Sequence, residues 1–334
     1  MPPASGAAPA APAPVAAEPL PRRGVAGGSD SELDRALSEG DRAYAADDLK
    51  SAAAAYKKAE ALAPKAPGPK VGLIRVALAE AGIASEFGAA PKDPKLQALL
   101  AKLDAAKKLD AAFGPTELER GRVLLMLGDG ARALEALRRA VELVPADPEA
   151  QSALGVALLS TGDAARALSP LRRAVELDPG ALERWRALGA TELVLGLVSE
   201  AISDFSRAVA LSPNDARSHG DLGAAYLSAG FVDQAAHELE RALALDGGRA
   251  ALHSNLAYAL LLKGDLSAAL GHAEDATRLD PSLGSGWINL GLVHEKRGDH
   301  GSARKAFQRA LALDPEDPRA KANIEELDAV QKAR

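Results

Sequence analysis

A chain of 334 residues with five Phe, four Tyr and two Trp lacks the large rings that sheets favour, and its abundant alanine suits packed helices, which excludes an all-β fold. Forty basic against forty-six acidic side chains leave a net charge of -6, so no overall basic field draws nucleic acid or anionic lipid. The absence of cysteine removes disulfides, thiolate catalysis and every Cys-containing metal or redox motif, while leaving the compartment open.

The first segment, residues 1–32, carries Pro2, Pro3, Pro9, Pro12, Pro14, Pro19 and Pro21 among alanines, with almost nothing to bury. Such a stretch cannot offset the entropy of ordering and reads as a disordered, solvated linker. It does not open with the charged, apolar and small-residue succession of an export signal. The longest apolar runs, such as 256–262, fall far short of the ~20 residues of a bilayer-spanning helix. Cytoplasm is the compartment these features suggest, with the periplasm or cell envelope as the alternative if a signal or lipid anchor was removed. The Ala, Gly and Arg bias fits a GC-rich bacterial genome.

From residue 33 a 34-residue register begins. In the first unit, 33–66, Gly40, Ala43, Ala52, Tyr56, Ala59, Leu62 and Pro64 take positions 8, 11, 20, 24, 27, 30 and 32, and Asp47 stands at position 15. Residues 67–113 form a degenerate second unit whose inter-helix loop, 82–94, is lengthened by 13 residues, with Leu99, Leu103 and Ala106 recovering positions 20, 24 and 27. Six regular units follow at 114–147, 148–181, 182–215, 216–249, 250–283 and 284–317. Residues 318–334, with Ile324 and Leu327 on an apolar side, read as a capping helix.

Three kinds of column explain the period. Position 8 is Gly121, Gly155, Gly189, Gly223, Ala257 and Gly291, and positions 20 and 27 are alanine in all six units, so two helices can approach closely. Bulky residues at position 24 (Leu137, Leu171, Phe205, Leu239, Phe307) are expected to fill the space between units. Gly128, Gly162, Gly196, Gly230, Gly264 and Gly298 at position 15 predict a left-handed cap that ends the first helix. Proline at position 32, as in Pro145, Pro179 and Pro213, ends the second by forcing its predecessor out of the α region.

This pattern resembles the tetratricopeptide repeat, the match running through Trp287, Leu290, Gly291, Gly298, Ala303, Phe307, Ala310 and Pro315 in the most regular copy. The resemblance covers most of the chain. It implies an all-α fold, a right-handed α-solenoid of about eight helix-turn-helix repeats closed by the C-terminal capping helix, each repeat stable only when stacked on its neighbours. It also implies that first helices line a concave face with positions 2, 5, 9, 12 and 13 pointing into it.

On that face position 12 reads Leu125, Leu159, Leu193, Leu227 and Leu261, broken at Glu295, and position 9 reads Arg122, Val156, Ala190, Ala224, Tyr258 and Leu292. Two readings stand side by side: a hydrophobic trough that accepts an apolar or amphipathic partner segment, or leucines that simply pack between neighbouring first helices. Arg122, Arg186, Asn255, Asn289 and Lys296 are the polar groups able to add specificity at the rim. The family's carboxylate clamp is not reproduced, because Arg186 at position 5 is followed by Ala190 at 9 and Asp221 at 6.

The sequence contains no phosphate-cradling, dinucleotide-binding, H-E-x-x-H or G-x-S-x-G motif. His219 and His253 share position 4 one repeat apart, yet no carboxylate column joins them, so they read as packing residues and neither metal nor cofactor is expected. The sequence therefore points to a non-enzymatic scaffold or adaptor whose partner is a protein or peptide segment, held in the groove or by loop 82–94, without nucleic acid or membrane insertion. A capped array is compatible with a monomer. The alternatives are an assembly subunit of a cell-envelope, secretion or motility complex, or an accessory subunit of an enzyme whose catalysis lies on another chain.

Overall fold

A computed structural model describes residues 24–83 and 87–332, and among these residues the regular structure is helical throughout, with seventeen α-helices. They fall into two compact units, one ending at Leu195 and one beginning at Gly196. The first holds α1 (Glu32–Ala45), α2 (Leu49–Leu62), α3 (Pro67–Ala81), α4 (Pro94–Leu109), α5 (Gly114–Met126), α6 (Gly130–Leu143), α7 (Pro148–Ser160), α8 (Ala164–Leu177) and α9 (Leu182–Val194). The second holds α10 (Val198–Leu211), α11 (Ala216–Ser228), α12 (Val232–Leu245), α13 (Ala250–Lys263), α14 (Leu266–Leu279), α15 (Gly284–Lys296), α16 (His300–Leu313) and α17 (Pro318–Lys332). Within each unit consecutive helices pack on one another. None of the described helices is long and apolar enough to cross a membrane.

Local chemistry sets the helix ends. The six position-15 glycines all have φ between 75° and 87°, where a side chain would be strained, and each turns the chain from a first helix into a second. In the first unit Asp47 occupies this place at φ 59°, a non-glycine residue held in the left-handed region. One residue later, Asp129, Asp163, Asp265 and Asp299 accept the N–H groups of Arg132, Arg166, Ala268 and Ser302 at 3.0–3.2 Å, capping α6, α8, α14 and α16.

The alanine columns lie at the helix contacts. Ala133, Ala167, Ala201, Ala235, Ala269 and Ala303 are 0% exposed, and the position-27 alanines from Ala140 to Ala310 no more than 1%. The position-24 side chains lie against position 8 of their own repeat as well as against the next unit, where Tyr56 faces Gly72 and Phe307 joins Ala320 and Leu327. A Cβ on Gly155 would stand 2.4 Å from Leu171 Cγ, and one on Gly291 2.4 Å from Phe307 Cε1. Repeat 250–283 carries the complementary exchange: Ala257 supplies the Cβ and Ala273 vacates the space, both 0% exposed.

Most of the segment expected to be linker, residues 1–23, lies outside the described residues. Residues 24–31 are corrected by the structure, because they are tied to the first unit. Val25 is buried, and the Val25 and Ala26 N–H groups donate to the Asp41 carboxylate at 3.1 and 3.2 Å. Gly27 and Ser29 N–H groups donate to Asp34 at 2.8 Å each. In the long loop between α3 and α4, Gly88 and Ala90 N–H groups donate to the Leu125 and Met126 carbonyls at 2.8 and 3.0 Å, tying the loop to the end of α5. Residues 84–86 of that loop lie outside the description.

Candidate functional site

In the first unit, the first helices meet through alternating charges. Arg75 Nε donates to Glu119 Oε1 at 2.8 Å. Arg122 bridges Glu119, at 3.2 Å, and Glu149. Arg184 bridges Glu149, at 2.7 Å, and Asp178. Arg75, Glu119, Arg122 and Glu149, with Asp41, border a cavity of about 390 Å³. Burial opposes the positive charge on Arg75, and Glu119 beside it more than offsets that, holding the guanidinium above its usual range. Burial and the Asp41 carboxylate likewise push the Tyr56 hydroxyl well above its ordinary value, with that hydroxyl donating to Asp41 at 2.8 Å.

Two of the three charges that the sequence assigned to a rim are taken up by carboxylates, while Lys296 stays exposed. Arg122 is held between two carboxylates, and Arg186 is buried and donates to Glu183 at 2.8 Å. Arg75, Glu119, Glu149 and Arg184 were not singled out from the sequence. Their signal is weak there, because opposite charges at adjacent positions of neighbouring repeats become partners only once the helices are stacked.

The position-12 leucines do not form a five-rung exposed strip. Leu125 is 6% exposed and sits in a core cluster with Leu118, Leu124, Leu154 and Leu158, so it is withdrawn from any groove lining. Val156 and Leu159 are half-buried against the same cluster. Leu227 and Leu261 are half-buried against Leu252, Leu256 and Leu260. Leu193 is also half-buried.

In the second unit, four of the residues picked out from the sequence come together. Asn255, Tyr258, Asn289 and Leu292 line a cavity of about 490 Å³ bordered by α13, α15 and α17, with Ile288 at its side and Asn323 closing the row. Asn255, Asn289 and Asn323 stand at the same register position one repeat apart. Asn289 Nδ2 donates to the Ser254 carbonyl at 2.8 Å and to Ser254 Oγ at 2.9 Å, which fixes the middle amide. Among the described residues, none supplies a hydrogen-bond partner to the amides of Asn255 and Asn323 or to the Tyr258 hydroxyl. Reading column 6 on into 318–334 would have found Asn323. Reading that segment only for its apolar cap positions concealed it.

Position 4 has a repeated task. Gln151, Trp185, His219, His253 and Trp287 each place a side-chain nitrogen 2.8–3.2 Å from the carbonyl six residues earlier, tying the helix to the preceding turn. His219 and His253 therefore act separately. His219 Nδ1 meets Glu238 at 2.6 Å, a carboxylate partner that the sequence reading did not connect to it.

The fold is an all-α array of paired helices, a scaffold of the protein-interaction class. Tetratricopeptide repeat family models match residues 118–182, 171–216 and 221–284, and a further one matches 284–317. The chain belongs to the tetratricopeptide repeat family. Similar solved structures include the crystal structure of the APC/C hetero-tetramer Cut9-Hcn1, at 18% identity and TM-score 0.66, over 90% of this chain and 57% of that one. Another is pilF of Pseudomonas aeruginosa, at 19% identity and TM-score 0.54, over 65% of this chain and 98% of that one. This chain thus spans a little over half of the Cut9-Hcn1 chain it matches, and both likenesses concern fold alone. No curated protein sequence matches the chain.

Proposed function

We propose that this protein is a non-enzymatic interaction scaffold that holds an extended partner segment along α13, α15 and α17. The observation that supports this reading is the row Asn255, Asn289, Asn323 in one cavity, its two outer amides unpartnered. A side-chain amide carries both donor and acceptor, the complement of one peptide unit. Neighbouring helices lie about 8–10 Å apart, and an extended chain advances about 3.3 Å per residue. Successive asparagines therefore meet every third peptide group, while Tyr258 and Leu292 supply apolar contact for the side chains between.

A display library of short peptides selected on the purified chain tests this reading. Selected peptides are expected to lose at least tenfold in affinity for Asn255→Ala and Asn323→Ala, consistent with about 1.4 kcal/mol per tenfold. Equal binding to both variants would remove this cavity as the site.

A further inference from the structure

Position 26 is Arg139, Arg173, Arg207, Arg241 and Arg309 in five of the six regular repeats, and Asp275 in the other. In the last repeat the Arg309 guanidinium lies 6.0 Å from the centroid of the Trp287 ring at position 4, while Arg139 and Arg173 pair with Glu142 and Glu176 at 2.8 and 2.9 Å. Repeat 250–283 replaces this cation by a carboxylate, beside His253 at position 4. It also carries His272 at position 23, the place of Glu238 one repeat earlier. Two exchanges peculiar to this repeat, His272 and Asp275, thus join His253 at one contact between α13 and α14.

Their atoms converge. His253 Nδ1 lies 3.0 Å from His272 Nδ1 and 3.9 Å from Asp275 Oδ2, and one donor atom from each of the three lies within 4.8 Å of the others. His253 Nε2 faces the Gly247 carbonyl at 3.2 Å. A carbonyl only accepts, so Nε2 bears the proton and the neutral ring leaves its Nδ1 lone pair aimed at His272. A backbone carbonyl behind the imidazole is the usual orienting partner of a metal-bound histidine. Asp275 is oriented too, since Arg278 Nη2 holds its Oδ1 at 2.6 Å while Oδ2 faces the histidines. Two nitrogens about 2.05 Å from a tetrahedral ion stand about 3.3 Å apart, close to the spacing found.

We propose that His253, His272 and Asp275 bind one divalent transition-metal ion of the zinc class through the two Nδ1 atoms and Oδ2, with water completing the shell. The ion would sit where this repeat carries a carboxylate at position 26, and it clamps α13 to α14. A site of two imidazoles and one carboxylate suits zinc, nickel or copper and discriminates against magnesium and calcium, which prefer oxygen. The site is independent of the peptide-binding reading.

The test is calorimetric titration of the tag-free, chelator-stripped full chain with Zn²⁺, with Mg²⁺ as control and Co²⁺ absorption as a second readout. One zinc per chain is expected, with at least tenfold weaker binding in H253Q, H272A and D275R. Each replacement already stands at the same position of another repeat, as Gln151, Ala306 and Arg309, so the folds are expected to survive, which circular dichroism without metal checks. In the unmutated chain, the ring signals of His253 and His272 are expected to shift in NMR on zinc addition ahead of those of His219, His237, His294 and His300. Absence of saturable binding, unchanged affinity in all three variants, or ring shifts confined to the other histidines overturns the site and leaves only a hydrogen bond between two imidazoles.

Discussion

At the scale of single residues, the fold turns on reciprocal volume. Where position 8 is glycine, position 24 is Leu, Phe or Tyr; where position 8 is Ala257, position 24 shrinks to Ala273. Gly291→Ala would force a Cβ to within 2.4 Å of Phe307 and is expected to cost about 1–3 kcal/mol. In a Phe307→Ala background the same change recreates the Ala257–Ala273 pairing, so its cost should fall well below 1 kcal/mol, roughly the scatter of additive substitutions. Urea denaturation of the four proteins of this cycle measures the difference. Equal costs in both backgrounds would mean that the contact does not set the glycine. The small-residue columns were legible as close approach. The direction of the approach was not, because a column gives spacing along the chain and no bearing, and position 24 proved to press on position 8 of its own repeat as well as on the next unit.

Among the elements, the segment 24–31 shows how composition misleads at a boundary. Its Gly, Ala and Ser content reads as solvated chain, yet Asp34 and Asp41 on α1 collect its N–H groups. The Ser29 hydroxyl, with the Gly27 and Ser29 N–H groups, holds the Asp34 carboxyl below its usual value. A depressed carboxylate stabilises the fold above its unfolded pKa, about 3.9, and that stabilisation is lost as pH falls through the lower folded value. Acidification below about pH 4 is therefore expected to free residues 24–31 to proteases. Asp34→Asn should leave them cleavable already at pH 7, and equal protection of the parent chain at pH 3 and 7 would contradict this. Helix α8 gives the opposite lesson. It continues through Pro170, a residue expected to break it, with Ala167, Leu171 and Ala174 fully buried on its packed side.

Across the whole molecule, stability resides in contacts between neighbours along the array. At the C-terminal end α17 places Ala320 and Leu327, 0% and 3% exposed, in a cluster with Ile288, Phe307 and Ala310. Leu327→Ala is expected to remove about 2–4 kcal/mol from this end. Hydrogen exchange should then show amides of α15 and α16 losing protection while those of α5 to α8 keep theirs. A uniform loss over all helices would instead mark one cooperative unit.

The amino-acid sequence by itself determined the 34-residue period, the helix pairs, their left-handed glycine turns and the buried alanines, because each follows from backbone sterics within a few residues. Tertiary structure decided which side chains meet. Arg75 and Glu119 are 44 residues apart, Arg184 and Glu149 35, and His253 and His272 19. Whether such pairs become a charge network, a lined cavity or a ligand set depends on the rotation of one helix against another, which packing fixes and no local rule contains.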